Sequence, residues 1–102
     1  MSAGENITDF EQLSKMIAPI ARKYGISRVY LFGSRARGDN RSDSDYDFCI
    51  LPGKETTFFG MGGFLVESEE LLGREVDVVS ERNLSPKFFE TISRERRLLY
   101  EA

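Results

Sequence analysis

The sequence predicts a single α/β (α+β) domain, residues 1–102, in which helices flank a small mixed sheet of three core strands. Three observations predict this class. Segments with helical spacing of apolar residues alternate with short strand-like segments. At 102 residues, the chain is long enough to build one hydrophobic core. Hydrophobic residues make up 40% and charged residues 30%, a balance typical of globular proteins rather than disordered ones.

The first helix is predicted to begin at the capping box Thr8-Asp9-Phe10-Glu11 and to end at Gly25. Apolar side chains then recur every three or four positions and give the helix one apolar face: Phe10, Leu13, Ile17, Ile20 and Tyr24. Pro19 is expected to kink or split this helix, because proline lacks the backbone N–H that a helix interior uses. Residues 1–6 are polar and are expected to fray.

Two strands and a short helix are predicted in the centre of the chain. Strand one covers residues 28–33 and is rich in Val, Tyr and Phe. A short helix runs from Ser34 to Gly38, and a polar loop leads to strand two, residues 46–51. A parallel crossover needs a dozen or more residues, so the first two strands are predicted to be antiparallel.

The second half of the chain is predicted to add one helix, the third strand and a final helix. Residues 61–72 form a helix that Gly73 caps, and strand three covers residues 75–80. This longer crossover gives the strand order 1-2-3. Ser85-Pro86 is a typical helix start, because proline is favoured at the first helical position. Three residues are expected to form the buried side of the final helix: Phe88, Phe89 and Ile92.

Three segments of the second half carry further expectations. Residues 53–63 contain four glycines and are expected to form a mobile loop. Four apolar side chains in and next to this segment, Phe58, Phe59, Met61 and Phe64, either fold back on the core or, some of them, form a patch that binds a partner. Within the helix, Phe64, Leu65, Leu71 and Leu72 are expected to point inward. Residues 94–97 are expected to form a solvated turn, and residues 98–100 a short edge strand.

Composition excludes several kinds of chemistry. The chain has no histidine, which excludes Ser-His-Asp and Cys-His catalysis and every zinc site that uses histidine. A metal ion would have to be held by oxygen atoms, which favours Mg²⁺, Mn²⁺ or Ca²⁺. The single cysteine, Cys49, cannot form an internal disulfide and is expected to be a small buried hydrophobe.

Charge and hydropathy limit the partners. The formal net charge is −3, which argues against a domain that binds duplex nucleic acid. No apolar segment approaches the length of about 20 residues that spans a bilayer, and no signal peptide is recognisable. A cytoplasmic protein without membrane contacts is therefore expected.

Three carboxylates are expected to meet at one edge of the predicted sheet. Asp45 and Asp47 are two residues apart at the start of a strand, so their side chains leave the same face. Asp77 stands among valines in the third strand and completes the set if strands two and three are neighbours. Three like charges repel each other unless divalent cations neutralise them. Two ions roughly 3.5–4 Å apart would suit phosphoryl or nucleotidyl transfer.

The turn Gly33-Ser34 supplies features that suit a phosphate group. Glycine allows close approach to the backbone, and serine adds a hydroxyl at the start of a helix. Each signal alone has an ordinary structural explanation. Asp-rich loops often precede strands, and a Gly-Ser turn commonly joins a strand to a helix.

Taken together, the spacing of these motifs resembles that of a known family. Gly33-Ser34, ten intervening residues and then Asp45-Tyr46-Asp47 are similar to the signature of the polymerase-beta-type nucleotidyltransferases. The longer segment Leu31-Phe32-Gly33-Ser34-Arg35-Ala36-Arg37-Gly38 resembles the minimal nucleotidyltransferase (MNT) branch. The resemblance extends from the first helix to the end of the chain, and Asp77 matches the third acid of the family.

The resemblance implies a role for each motif residue. Gly33 and Ser34 would hold the β- and γ-phosphates of a nucleoside triphosphate, for which the family uses ATP. Arg35 and Arg37 would assist the phosphates, although Arg37 could instead be structural.

The acids would hold the metal ions. Asp45 and Asp47 would ligate two Mg²⁺ ions, with Mn²⁺ as an alternative. Asp77 would ligate the catalytic ion and help to activate the acceptor hydroxyl.

The resemblance also implies a partner. No residues remain for a second domain that would bind the acceptor, so the acceptor is expected on another protein. Stand-alone MNT proteins pair with a HEPN-domain toxin RNase, and their proposed activity is AMP transfer to a tyrosine of that toxin. This chain is therefore expected to act as an antitoxin in a hetero-oligomer. Two alternatives stay open: an antitoxin that neutralises by binding alone, and a small-molecule nucleotidyltransferase of the aminoglycoside-modifying type.

Overall fold

A computed structural model describes residues 10–102 of the chain. The elements in chain order are α1 (Phe10–Lys23), β1 (Arg28–Phe32), α2 (Ser34–Arg37), β2 (Tyr46–Leu51), α3 (Phe58–Leu72), β3 (Val76–Ser80), α4 (Pro86–Glu95) and β4 (Arg97–Glu101). A single 3₁₀ turn, Glu81–Asn83, links β3 to α4. The predicted fold class, a mixed sheet flanked by helices, is confirmed. The polar residues 1–6 lie outside the described residues. So does Thr8, where the predicted capping box begins.

Within residues 10–102, the sheet has four strands in the order β3-β2-β1-β4. β1 pairs antiparallel with β2, and β2 pairs parallel with β3. These orientations and the predicted order of the first three strands are confirmed. β4 adds a fourth strand, antiparallel to β1, where the sequence predicted a short edge strand. The sheet therefore has one strand more than the three predicted for its core.

Helix α1 packs its apolar face against α3 and β4. Leu13, Ile17 and Ile20 are buried, as their spacing predicted. The helix runs without a break through Pro19, so the expected split is wrong. Pro19 is exposed, and burial of its neighbours on the opposite side holds the helix together despite the missing N–H.

Helix α3 begins earlier than the sequence predicted. The side chain of Thr57 caps it by accepting a hydrogen bond from the N–H of Gly60 at 2.9 Å, so residues 58–63 are helical rather than a loop. Phe58 is 82% exposed and Phe59 is 89% exposed, so these two do not fold back on the core, whereas Phe64 is fully buried and Met61 packs against the core. Leu71 was expected to point inward but is also exposed.

Residues 94–97 do not form the expected solvated turn. Glu95 ends α4 and Arg97 begins β4. Between them, the guanidinium carbon of Arg96 lies 3.9 Å from the ring centre of Tyr30, in a cation–π contact. The expectation for α4 itself holds only in part, because Ile92 is buried whereas Phe88 is 44% exposed.

Across residues 10–102, every helix lacks either the length or the apolarity that crossing a membrane would require.

Gly53, which precedes α3, and Gly62, which lies within it, differ in the space around their backbones. A β-carbon on Gly53 would lie 2.1 Å from the carbonyl oxygen of Gly25, whereas one on Gly62 would have no heavy atom within 4 Å. We expect Gly53→Ala to lower the free energy of unfolding by about 1–3 kcal/mol, because backbone atoms must shift to admit the methyl group. Gly62→Ala, in the middle of α3, should raise it by about 0.5–1 kcal/mol. Urea denaturation measures both changes, and a shift of the same sign in both variants would contradict this packing.

Candidate active site

Two carboxylates meet on neighbouring parallel strands. Asp47 on β2 is in register with Asp77 on β3, so both side chains leave the same face of the sheet. Asp47 is half-buried and Asp77 is exposed. Asp45 is exposed and lies just before β2 begins, on the same side as Asp47. The structure thus brings the three predicted acids to one end of the sheet.

The acids interact unfavourably with one another. The pKa of Asp47 is raised to about 6, first by burial and then by the negative charges of Asp77 and Asp45. A hydrogen bond between the side chains of Asp47 and Asp77 acts in the same direction. Asp45 acts on Asp47 through its charge alone. The site therefore holds more negative charge than its own cations neutralise.

This donor set fits a divalent cation in chemistry. All three acids offer oxygen atoms, and the raised pKa of Asp47 shows that positive charge would be favourable there. Within residues 10–102, however, no group of three or more His, Cys, Asp or Glu side chains is gathered closely enough to hold one metal ion. Asp47 and Asp77 share a hydrogen bond, whereas no hydrogen bond joins Asp45 to Asp47.

The turn after β1 lies directly against the acids. Phe32 pairs with Asp47 across the antiparallel strands, and Gly33 follows with φ 75° and ψ −157°, a conformation that only glycine adopts easily. A β-carbon on Gly33 would lie 2.3 Å from Oδ2 of Asp47. The backbone of this turn and the acidic side chain are therefore in contact. Ser34 begins α2 immediately after the turn and is half-buried.

Arg35 supports the loop that leads to the acids. Its side chain is 5% exposed and donates hydrogen bonds to the carbonyl oxygens of Ser42, at 3.2 Å, and of Ser44, at 2.8 Å. Its guanidinium carbon lies 3.9 Å from the ring centre of Tyr46, and burial lowers the pKa of the guanidinium. Arg35 thus fixes the chain just before Asp45. Its predicted contact with a nucleotide stays a prediction.

Arg37 points to the other side of the turn and meets a residue that the sequence analysis missed. Arg37 is exposed and donates to Oε2 of Glu95 at 2.9 Å and to Asp39 at 3.1 Å. These hydrogen bonds raise the pKa of Arg37. The other oxygen of Glu95 accepts the N–H of Gly33 at 3.1 Å. Glu95 lies in a stretch of alternating charges, and no local pattern distinguished it from its neighbours.

Cys49 plays no part in the candidate site's chemistry. It is fully buried in β2, as predicted, and burial raises the pKa of its thiol to about 11. A thiol of that pKa is almost entirely protonated at neutral pH and therefore a poor nucleophile.

A family model described as polymerase beta, nucleotidyltransferase matches residues 15–102. A protein of Methanocaldococcus jannaschii, named "Putative protein adenylyltransferase", is 32% identical over 78 residues. The match covers 76% of this chain and 84% of that protein.

Solved structures share the fold. One, described as a "putative minimal nucleotidyltransferase", has 36% identity and a TM-score of 0.75, covering 87% of this chain and 94% of its own. A toxin–antitoxin structure with AMP-PNP has 21% identity and a TM-score of 0.74, covering 87% and 73%. A Shewanella oneidensis complex of a tri-AMPylated HEPN toxin with an MNT antitoxin has 21% identity and a TM-score of 0.65, covering 90% and 73%. At 21% identity, the last two establish similarity of fold alone.

The raised pKa of Asp47 predicts how stability depends on pH without metal ions. Between its ordinary value of 3.8 and about 6, the folded protein keeps a proton that the unfolded chain has lost. Stability should therefore fall as pH rises through this window. In EDTA at pH 7.5, Asp47→Asn should raise the free energy of unfolding by about 1–2 kcal/mol, as measured by urea denaturation.

The matched control is Asp43→Asn, which removes an exposed carboxylate from the same loop and should change stability little. Equal stabilities of the wild type and Asp47→Asn at pH 7.5 would contradict the charge balance described here.

Proposed function

Because this chain belongs to the polymerase beta family of nucleotidyltransferases, we propose that it transfers AMP from ATP to a tyrosine hydroxyl of a partner HEPN-domain toxin. One observation carries the proposal: the backbone of the Gly33 turn touches the carboxylate of Asp47. A phosphate group at the turn would lie beside the acids. The names of the relatives support the rest, since one is a protein adenylyltransferase by name and another holds an AMPylated HEPN toxin.

The turn residues would bind the triphosphate. Gly33 offers a backbone N–H and, having no side chain, allows an anion to approach closely. Ser34 adds a hydroxyl next to it, and Arg37 adds a positive charge on the exposed side. Arg35 contributes by fixing the loop that carries Asp45. These contacts would orient the β- and γ-phosphates and leave the α-phosphate towards the acids.

The acids would hold the metal ions, and family members generally use divalent ones. We propose that Asp45, Asp47 and Asp77 hold two Mg²⁺ ions, with Mn²⁺ as a substitute. When bound, the ions would neutralise the charge of the phosphates and of the acidic cluster. Asp77 is the more exposed acid of the in-register pair, and its exposure supports the proposal that it takes the proton from the acceptor hydroxyl. The acceptor oxygen bonds to the α-phosphorus while the bond to the β-phosphate breaks, and pyrophosphate leaves.

A second candidate function is neutralisation by binding alone. The observation that favours it is the exposure of two adjacent large aromatics, Phe58 at 82% and Phe59 at 89%. Such a pair suits a protein interface, where aromatic anchors contribute much of the binding energy. The two functions are compatible, because the phenylalanines begin α3 and the acids lie at the other end of β2.

Label transfer tests the proposed reaction. In a complex with the coexpressed toxin and Mg²⁺, ATP labelled at the α-phosphate should label the toxin, whereas ATP labelled at the γ-phosphate should not. Asp45→Asn/Asp47→Asn should reduce labelling at least about 100-fold, because these acids would hold the metal ions that stabilise negative charge in the transition state. Mass spectrometry of the labelled toxin would then locate the modified residue.

Asp43→Asn/Glu90→Gln is the matched control, because it removes two exposed carboxylates that do not contact Arg37 or Gly33 and should leave labelling within about twofold. Label from the γ-phosphate would identify a kinase instead. Label from neither position, in an intact complex, would overturn the proposed reaction.

Growth rescue separates catalysis from binding. Under toxin expression, Asp45→Asn/Asp47→Asn should still copurify with the toxin but should no longer restore growth. Phe58→Ser/Phe59→Ser should weaken copurification by at least about tenfold, because it removes the most exposed apolar side chains. Leu98→Ser, another exposed apolar residue but on β4, serves as the control. Full rescue by the acidic double variant would favour the binding antitoxin.

A further inference from the structure

The carboxylate of Glu95 lies where the proposed function requires a phosphate. Its Oε1 atom accepts the N–H of Gly33 at 3.1 Å, and its Oε2 atom accepts from Nη1 of Arg37 at 2.9 Å. Glu95 comes from the last residue of α4, 62 residues away from Gly33 in sequence. The carboxylate thus joins the backbone donor of the turn to the exposed guanidinium beside it.

These contacts match the chemistry that binds a phosphate. A backbone N–H in a glycine turn and a guanidinium are the donors that a phosphate oxygen pair would use. A carboxylate has the same sign of charge and a similar pair of acceptor oxygens. A phosphate and the Glu95 carboxylate therefore cannot both accept from Gly33, and their charges repel each other at this distance.

We infer that Glu95 is an internal competitor for the phosphate site, and that it must swing away before the triphosphate binds. The inference rests on the proposed function, because it requires the Gly33 turn to be the phosphate site. Glu95 then lowers the affinity for nucleotide, and the stronger its contacts with Gly33 and Arg37 are, the lower that affinity is.

The surroundings of Glu95 allow this movement. Its side chain is 22% exposed and ends a helix in which Ile92 is the one buried residue. The side chain can reach solvent by rotating about its own bonds, without unpacking the core. When it leaves, Arg37 keeps its contact with Asp39 at 3.1 Å and stays beside the turn. The guanidinium would then be available to the incoming phosphate.

A purely structural role for Glu95 predicts the opposite effect. If Glu95 served to hold Arg37 and the Gly33 turn in a shape that binds phosphate, its removal would weaken nucleotide binding. If it competes with phosphate, its removal strengthens binding. The direction of the change in affinity therefore separates the two roles.

The test is isothermal titration calorimetry of the full chain with Mg²⁺ and α,β-methylene-ATP, which cannot transfer its nucleotide. Inorganic triphosphate is the second probe, because it reports on the phosphate site without a base. Glu95→Gln keeps the size of the side chain and removes its charge, while Glu95→Ala removes the competing group and favours the helix. Glu90→Gln removes an equal charge from an exposed position of α4 and is the matched control. Circular dichroism verifies that each variant is folded.

We expect both Glu95 variants to bind both probes about three- to tenfold more tightly than the wild type, and Glu90→Gln to change little. Binding by the wild type with equal or weaker binding by the Glu95 variants would overturn the inference and leave the proposed function standing. Absence of binding in the wild type and in all variants would overturn both. Binding detected in the Glu95 variants alone would be the strongest support for competition.

Discussion

The antiparallel pairing of β1 with β2 is the constraint on which the site depends. It sets Phe32 opposite Asp47, so Gly33, the residue that follows β1, lies directly over the acidic side chain. The distance of 2.3 Å from a β-carbon on Gly33 to Oδ2 of Asp47 leaves no room for any side chain. Two separate features therefore require glycine at this position: the φ of 75° and the carboxylate next to it. One pair of strands thus brings the proposed phosphate site and the acids together.

The parallel pairing of β2 with β3 adds the second acid at an energetic cost. It places Asp47 and Asp77 in register, so two like charges share one face of the sheet. The pKa of Asp47 is raised to about 6 by burial and, next, by the charge of Asp77, and the second effect reflects part of that cost. An apolar residue at position 47 would suit the sheet better. Side chains that destabilise the fold in this way are typical of functional sites, where a residue is retained for its chemistry although it lowers stability.

The sequence predicted what depends on local pattern and missed what depends on distant partners. The order of β1, β2 and β3 followed from the lengths of their connections, and the positions of Gly33, Asp45, Asp47 and Asp77 followed from motif spacing. Four glycines suggested a loop before residue 64, yet the Thr57 cap and the burial of Phe64 outweigh their low helix propensity. Glu95 could not be identified, because only the folded chain places it against Gly33. The role of each arginine in the Arg35-Ala36-Arg37 segment was likewise undecided by sequence. One is buried under the loop, and the other lies on the surface.

The direction of β2 separates the chemistry from the most exposed apolar surface. The acids lie at its first residues, whereas Phe58 and Phe59 follow the loop after its end. Six residues of strand extend about 20 Å, so a single ligand would have to span most of the molecule to touch both. A small acceptor molecule could occupy the acidic end but could not use the phenylalanines. A protein is large enough to contact both ends, and an acceptor hydroxyl on that protein would then reach the acids while the aromatic pair holds it. A partner protein that binds the aromatic pair could thus also present the acceptor hydroxyl that the proposed function requires.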